Sequence, residues 1–211
     1  MRRRSTPLRN RLGFGERRLT CGAASGLREL LFLAMDACGE CGFVYEQVTG
    51  SEVPQRIRSV GVRSRAALLP IDSEPNWDKR LRQRPEPTTW SALEYACHLR
   101  DVLLVQRDRL YRVLVEDCPG FPPMHRDDRP GLAHYNTEDP KDVVAELEFA
   151  SSLLARAFEG LEDQQWQRLC MYNYPTPQQR NLTWVGQHTV HEVEHHLLDI
   201  TRVLGRASGS Q

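Results

Sequence analysis

The sequence contains no apolar run near the ~20 residues that a membrane-spanning helix requires, so no membrane partner is expected. The short cluster Leu30-Leu31-Phe32-Leu33-Ala34 is too brief for the core of a secretion signal, and no clear cleavage pattern accompanies it. A cytoplasmic protein is expected. Net charge is also missing: 28 Lys and Arg balance 28 Asp and Glu. The balance hides an asymmetry. Arg2, Arg3, Arg4, Arg9, Arg11, Arg17, Arg18 and Arg28 crowd the start of the chain against only Glu16 and Glu29, which leaves the remainder mildly acidic. A nucleic-acid partner normally requires a basic face on the folded part, so none is expected. Six cysteines in 211 residues are too sparse for a disulfide scaffold. Internal repeats and alternating strand patterns of useful length are absent as well.

What remains is a chain with room for one domain and a real hydrophobic core. Residues 1–34 are expected to be a disordered Arg-rich tail, or to lie upstream of a true start at Met35; a targeting peptide is the other option. Residues 35–50 form a short Cys-x-x-Cys segment, and 51–206 the main domain. Helical spacing predicts a first helix over Glu52–Leu69, interrupted by Gly61. Pro70–Pro87 reads as a linker. From Trp90 to Glu116 no glycine or proline intervenes, and apolar residues recur at helical spacing. Thr88 and Thr89 are the expected caps of that helix. A long loop follows over 118–138. Asp139-Pro140 opens a further helix to about Leu161, an irregular stretch holds Pro175 and Pro177, and a last helix spans about Thr183–Leu204. Four helices with long connecting loops predict an all-α four-helix bundle.

The last helix carries the chemistry. His188 to Ile200 packs four histidines and two glutamates into thirteen residues. At 100° per residue, Val190, Val193, Leu197, Ile200 and Leu204 share one stripe that faces the core. His196 lies about 80° from the stripe centre and Glu192 about 120°, so both reach a neighbouring helix from the core's edge. His191 and His195 fall about 140° and 180° away. His191-Glu192-Val193-Glu194-His195 also reads as the H-E-x-x-H of zinc proteases. A protease needs a third ligand, usually downstream, and the residues after His195 contain no glutamate and no H-x-x-G-x-x-H extension. His98, inside the long second helix, is a better third ligand. Two histidines and a glutamate converging from two bundle helices would leave coordination positions open, as in catalytic rather than structural sites. Such donors suit zinc, nickel, iron or manganese.

Two segments then resemble the DinB-like superfamily, which includes YfiT-like metal hydrolases, mycothiol-dependent maleylpyruvate isomerase and bacillithiol transferases. One is Trp90-Ser91 followed by His98-Leu99 and Asp101; the other is His195-His196-Leu197-Leu198-Asp199-Ile200-Thr201. The resemblance spans roughly Glu52 to Leu204. It implies a DinB-like bundle with His98, Glu192 and His196 as metal ligands. The position of Glu192 is histidine in YfiT relatives and glutamate in the isomerase. Cys38-Gly39-Glu40-Cys41-Gly42-Phe43 is similar to the opening of actinobacterial relatives and supports Met35 as a start.

The resemblance implies a divalent-metal enzyme, with zinc first among the ions, acting on a small-molecule substrate. The ion would activate a low-molecular-weight thiol such as mycothiol for transfer to an electrophile, or activate water for hydrolysis. Related bundles often pair, which leaves a homodimer open. His188, His191 and His195 are expected as outer partners or alternative ligands, with at least two of them facing solvent. Asp101 is a candidate for orienting a ligand. Tyr172 and Tyr174 are candidates for lining a pocket, and Trp90, Trp166 and Trp184 for anchoring the core. Cys38-x-x-Cys41 is half of a zinc knuckle without a second pair, and is expected to be a reduced pair in a turn, with metal binding or redox use as the alternatives. A non-catalytic metal-binding stress or interaction module is the alternative reading, and the H-E-x-x-H protease the third.

Overall fold

A computed structural model describes residues 36–173 and 176–207. The Arg-rich stretch 1–34 and Tyr174 lie outside the described residues. Four long helices dominate: α1 (Val53–Leu68), α3 (Ala92–Val115), α5 (Pro140–Glu159) and α6 (Leu182–Ala207). Two short helices, α2 (Trp77–Arg82) and α4 (Arg129–Leu132), sit in the connections. A hairpin of β1 (Leu169–Tyr172) and β2 (Gln178–Asn181) precedes α6, with Leu169 opposite Asn181 and Tyr172 opposite Gln178. The all-α four-helix expectation holds. The hairpin and α2 are additions to it, because polar strand residues and a proline-rich linker mask both patterns.

Around the bundle the neighbours run α1, α5, α3, α6 and back to α1. Helices that follow one another in the chain, α1 with α3 and α5 with α6, therefore stand across the diagonals. A diagonal step must cross the end of the bundle, which gives the long connections a structural role.

Local chemistry fixes the helix ends. Ser91, not Thr88 or Thr89, caps α3. Its hydroxyl accepts from Glu94 N–H at 3.2 Å, while the Glu94 carboxylate accepts from Ser91 N–H at 2.8 Å. Glu94 is buried, and Arg84 donates to it through two nitrogens. Asp139 caps α5, with Pro140 in the first turn. Gly61 does not interrupt α1; it lets α1 and α5 approach. A Cβ there would stand 3.1 Å from Glu148 Cα.

The core fills the space between the four helices. Val190, Val193, Leu197, Ile200 and Leu204 are all buried in it, as the helical spacing of α6 predicts. The Cys-x-x-Cys segment is laid along α6, with Tyr45 and Val48 buried against it. No described helix is long and apolar enough to cross a membrane.

Candidate metal centre

His98, on α3, points inward and is 2% exposed. Neither of its ring nitrogens has a hydrogen-bond partner. A buried imidazole without partners is costly, because its polar atoms have lost water and gained nothing. Its ring meets that of His196 edge-on at 4.9 Å, and Trp90 covers it at 5.0 Å. From α6, Glu192 Oε2 lies 3.5 Å from His196 Nε2. One donor atom each from His98, Glu192 and His196 falls within 4.8 Å of the others. Ligands ~2.1 Å from a common ion stand about 3–4 Å apart, so the group fits a small divalent ion after slight contraction. The structure thus brings together the three residues singled out from the sequence.

Electrostatics match the donor set. Burial pushes the His98 imidazole down to about 4, which keeps it neutral and able to ligate. Burial alone would raise the Glu192 carboxyl. The hydrogen bond from His196 and the nearby His188 and His98 instead hold it well below the usual carboxylate range. Burial would lower His196, but Asp199 and Glu192 pull it up to about 9. His196 Nδ1 lies 3.1 Å from Asp199 Oδ2, an outer contact that leaves Nε2 for an ion. Loading an ion there exchanges it for a proton.

The remaining histidines of α6 do not face solvent. The side chains of His191 and His195 are only 12% and 16% exposed. The segment around Cys38 covers them, and no periodicity in that segment could have placed it there. Tyr45 bridges the set: its hydroxyl lies 2.9 Å from His188 Nδ1 and 3.1 Å from His191 Nδ1. The H-E-x-x-H motif is divided by this arrangement. Glu192 sits with His98 and His196, whereas His191 and His195 sit with Cys38 and Cys41. His188, His191 and Glu192 form a further overlapping group.

Asp101 does not orient His98. It accepts from Tyr135 Oη at 2.7 Å and from Arg129 at 2.6 Å, and so pins the 118–138 connection onto α3. Trp166 stacks on Phe158 in the core as expected. Trp184 also packs against the core and stacks on His188 at 4.8 Å, whereas Trp90 flanks His98. Sequence reasoning overlooked Tyr45 and Asp199. Asp199 had a signal, since it follows His195 by four and His196 by three; Tyr45 had none.

Two cavities meet at Glu192. One, of about 650 Å³, opens between the Asp36–Glu40 segment, Trp90, Tyr95 and Trp184. The other, of about 260 Å³, is walled by Val102, Phe121, Pro122 and Met124, with His98 and Arg109 also lining it. Tyr172 lines the smaller one, its hydroxyl accepting from Gln106 and Arg109 at 2.9 Å each.

A helical bundle with two histidines and a glutamate converging at a pocketed centre defines a metal-binding protein of the bundle class. The chain belongs to the DinB superfamily, whose family model matches residues 62–200. Its fold is similar to a solved structure titled "YfiT from Bacillus subtilis is a probable metal-dependent hydrolase with an unusual four-helix bundle topology". That match has 21% identity and a TM-score of 0.65, and covers 77% of this chain and 89% of the other. No curated protein matches the sequence.

Proposed function

We propose that the protein is a divalent-metal-dependent enzyme that joins a low-molecular-weight thiol to an electrophilic small molecule. The observation that carries this reading is His98. Its two nitrogens are buried and unpartnered, and one of them lies within 4.8 Å of donor atoms of Glu192 and His196. Zinc suits the donors first; nickel, iron and manganese are also compatible with them.

A divalent ion at this place lowers the pKa of a thiol or water beside it, giving a nucleophile at neutral pH. The residues do the rest. His98, Glu192 and His196 would hold the ion, where the two cavities meet at Glu192. Asp199 fixes the His196 ring through Nδ1. His188 Nε2 stands 3.7 Å from Glu192 Oε1, on the side away from His196. The apolar wall of Val102, Phe121 and Met124 excludes water from one side, and Arg109 sets a positive charge beside it for a polar substrate group. Glutamate rather than histidine at 192, as in the isomerase branch that the sequence resembles, favours thiol transfer. Hydrolysis is the second reading, supported by the likeness to YfiT.

The test loads the full chain with zinc and supplies mycothiol with a fluorogenic electrophile, beside an amide substrate without thiol. Metal-dependent adduct formation, lost together with the ion in His98→Ala, is expected. Amide turnover without thiol selects hydrolysis. A bound ion with no turnover in either assay leaves a non-catalytic binding module. Glu192→Gln that keeps the ion but loses activity would instead give Glu192 the role of a protease base.

A further inference from the structure

Cys38 and Cys41 have no second cysteine pair in the sequence to complete a metal site. The fold supplies two histidines in its place. One donor atom each from Cys38, Cys41, His191 and His195 lies within 4.8 Å of the other three. We propose that these four residues form a second, closed zinc site that staples the N-terminal knuckle to α6, separate from the centre at His98.

The knuckle is shaped for it. Cys38 N–H donates to Phe43 O at 2.8 Å, and Gly42 N–H donates to Cys38 O at 2.9 Å. Ala37 pairs with Val44 as an antiparallel bridge. The tight turn after Cys41 needs φ of +73° at Gly42, which a side chain would strain. Both cysteines are free, half-buried thiols on the side that faces α6.

The histidines come from the helix in matching states. His191 and His195 are four apart and so rise on one face of α6. The Tyr45 hydroxyl engages His191 Nδ1, which leaves Nε2, buried and without a partner, as the nitrogen free to ligate. Nδ1 of His195 lies 3.6 Å from Cys38 Sγ. On its other side, His195 Nε2 stands 3.4 Å from both Asp199 and Glu40. A carboxylate on the far nitrogen is the usual outer partner of a ligating histidine.

Two thiolates and two imidazoles in a compact group are the donor set of a structural zinc site, in which no position is left open. Binding would release two thiol protons to solvent and involve no redox change. The ion would also fix a wall of the larger cavity, because Asp36, Cys38 and Glu40 line it.

The site stands independently of the proposed reaction. Zinc per chain is measured on the reduced full-length protein, wild type beside Cys38→Ser/Cys41→Ser and His98→Ala. Two ions are expected in the wild type and one in each variant, with none in the combination. Cobalt replacing the ion in His98→Ala should show an intense sulfur-to-cobalt charge-transfer band in the near ultraviolet. That band reports thiolate ligation even where a variant folds poorly. The proposal is overturned if reduced wild type shows no such band on cobalt loading, or if the double serine variant keeps the full zinc content. Loss of an ion in His98→Ala but not in the double serine variant supports the inner centre and overturns this one.

Discussion

The hydroxyl of Tyr45 stands 2.9 Å from Nδ1 of His188, joining residues 143 positions apart. The same oxygen lies 3.1 Å from His191 Nδ1. One hydroxyl can donate once and accept here, so it donates to one ring and accepts from the other. In the proposed second zinc site His191 ligates through Nε2, which makes His191 Nδ1–H the donor and His188 Nδ1 the acceptor. A single oxygen thus sets the tautomers of two histidines, one beside Glu192 and one beside Cys38.

Tyr45→Phe should leave two buried ring nitrogens short of a partner and cost about 1–3 kcal/mol of stability. Urea unfolding measures the cost, and nitrogen NMR of the histidine rings reads the tautomers. An unchanged midpoint together with unchanged ring shifts would show that the bridge does nothing.

His98→Leu should separate two effects that act together in the native chain. In the metal-free protein it removes two unpartnered buried nitrogens, so stability should hold or rise. With zinc present, the wild type should gain about 3 kcal/mol at an ion concentration near 100 Kd, and the variant should lack the share due to the inner centre. Thermal unfolding with and without zinc checks both limbs. Equal zinc responses in the two proteins would remove His98 from the centre.

Glu94 carries a pH dependence whose sign is fixed. Burial would raise its carboxyl, but Arg84 and the Ser91 cap hold it below the usual range. A depressed carboxyl contributes stability above its unfolded value, about 4.3, and loses it as pH falls towards the folded value. Glu94→Gln should therefore be less stable than wild type at pH 7, and the gap should narrow as pH falls below about 4.3 towards the folded value. Acid titrations followed by circular dichroism would show it; a gap that did not narrow as pH fell through the carboxylate range would contradict the assignment.

Gly61→Ala offers a test of packing against propensity. An exposed helical site would gain about 1 kcal/mol from this change. Here the new methyl would meet Glu148 Cγ at 2.6 Å and its Cα at 3.1 Å. Moving α5 aside should cost about 1–3 kcal/mol, so a net loss is expected in denaturant unfolding. A gain would mean that the α1–α5 contact is loose.

The inner face of the site was legible because helical periodicity is a local property. The spacing of Val190, Val193, Leu197 and Ile200 fixes where Glu192 and His196 point, and the uninterrupted run around His98 supplies the opposing helix. What was not legible depends on contacts between distant segments. His191 and His195 read as outward because nothing local shows that residues 36–48 fold over them. Asp101 looked like a partner of His98 through proximity on α3, while its oxygens are taken by Arg129 and Tyr135 from the long connection. The hairpin before α6 escaped notice because Gln178, Gln179, Arg180 and Asn181 carry no strand pattern; it is held by pairing with β1.

The diagonal arrangement of the helices bears on how the chain reaches this state during synthesis. α1 emerges long before either of its neighbours in the bundle, α5 and α6, has been made. The knuckle around Cys38 waits longer still, since its docking surface is the last helix. Contacts between such distant segments slow folding, because a long loop must close before they form. Early intermediates would expose the apolar faces of α1 and α3 and keep the cysteines of the knuckle open to oxidation. The nascent protein should therefore lean on chaperones and on a reducing environment until α6 is complete.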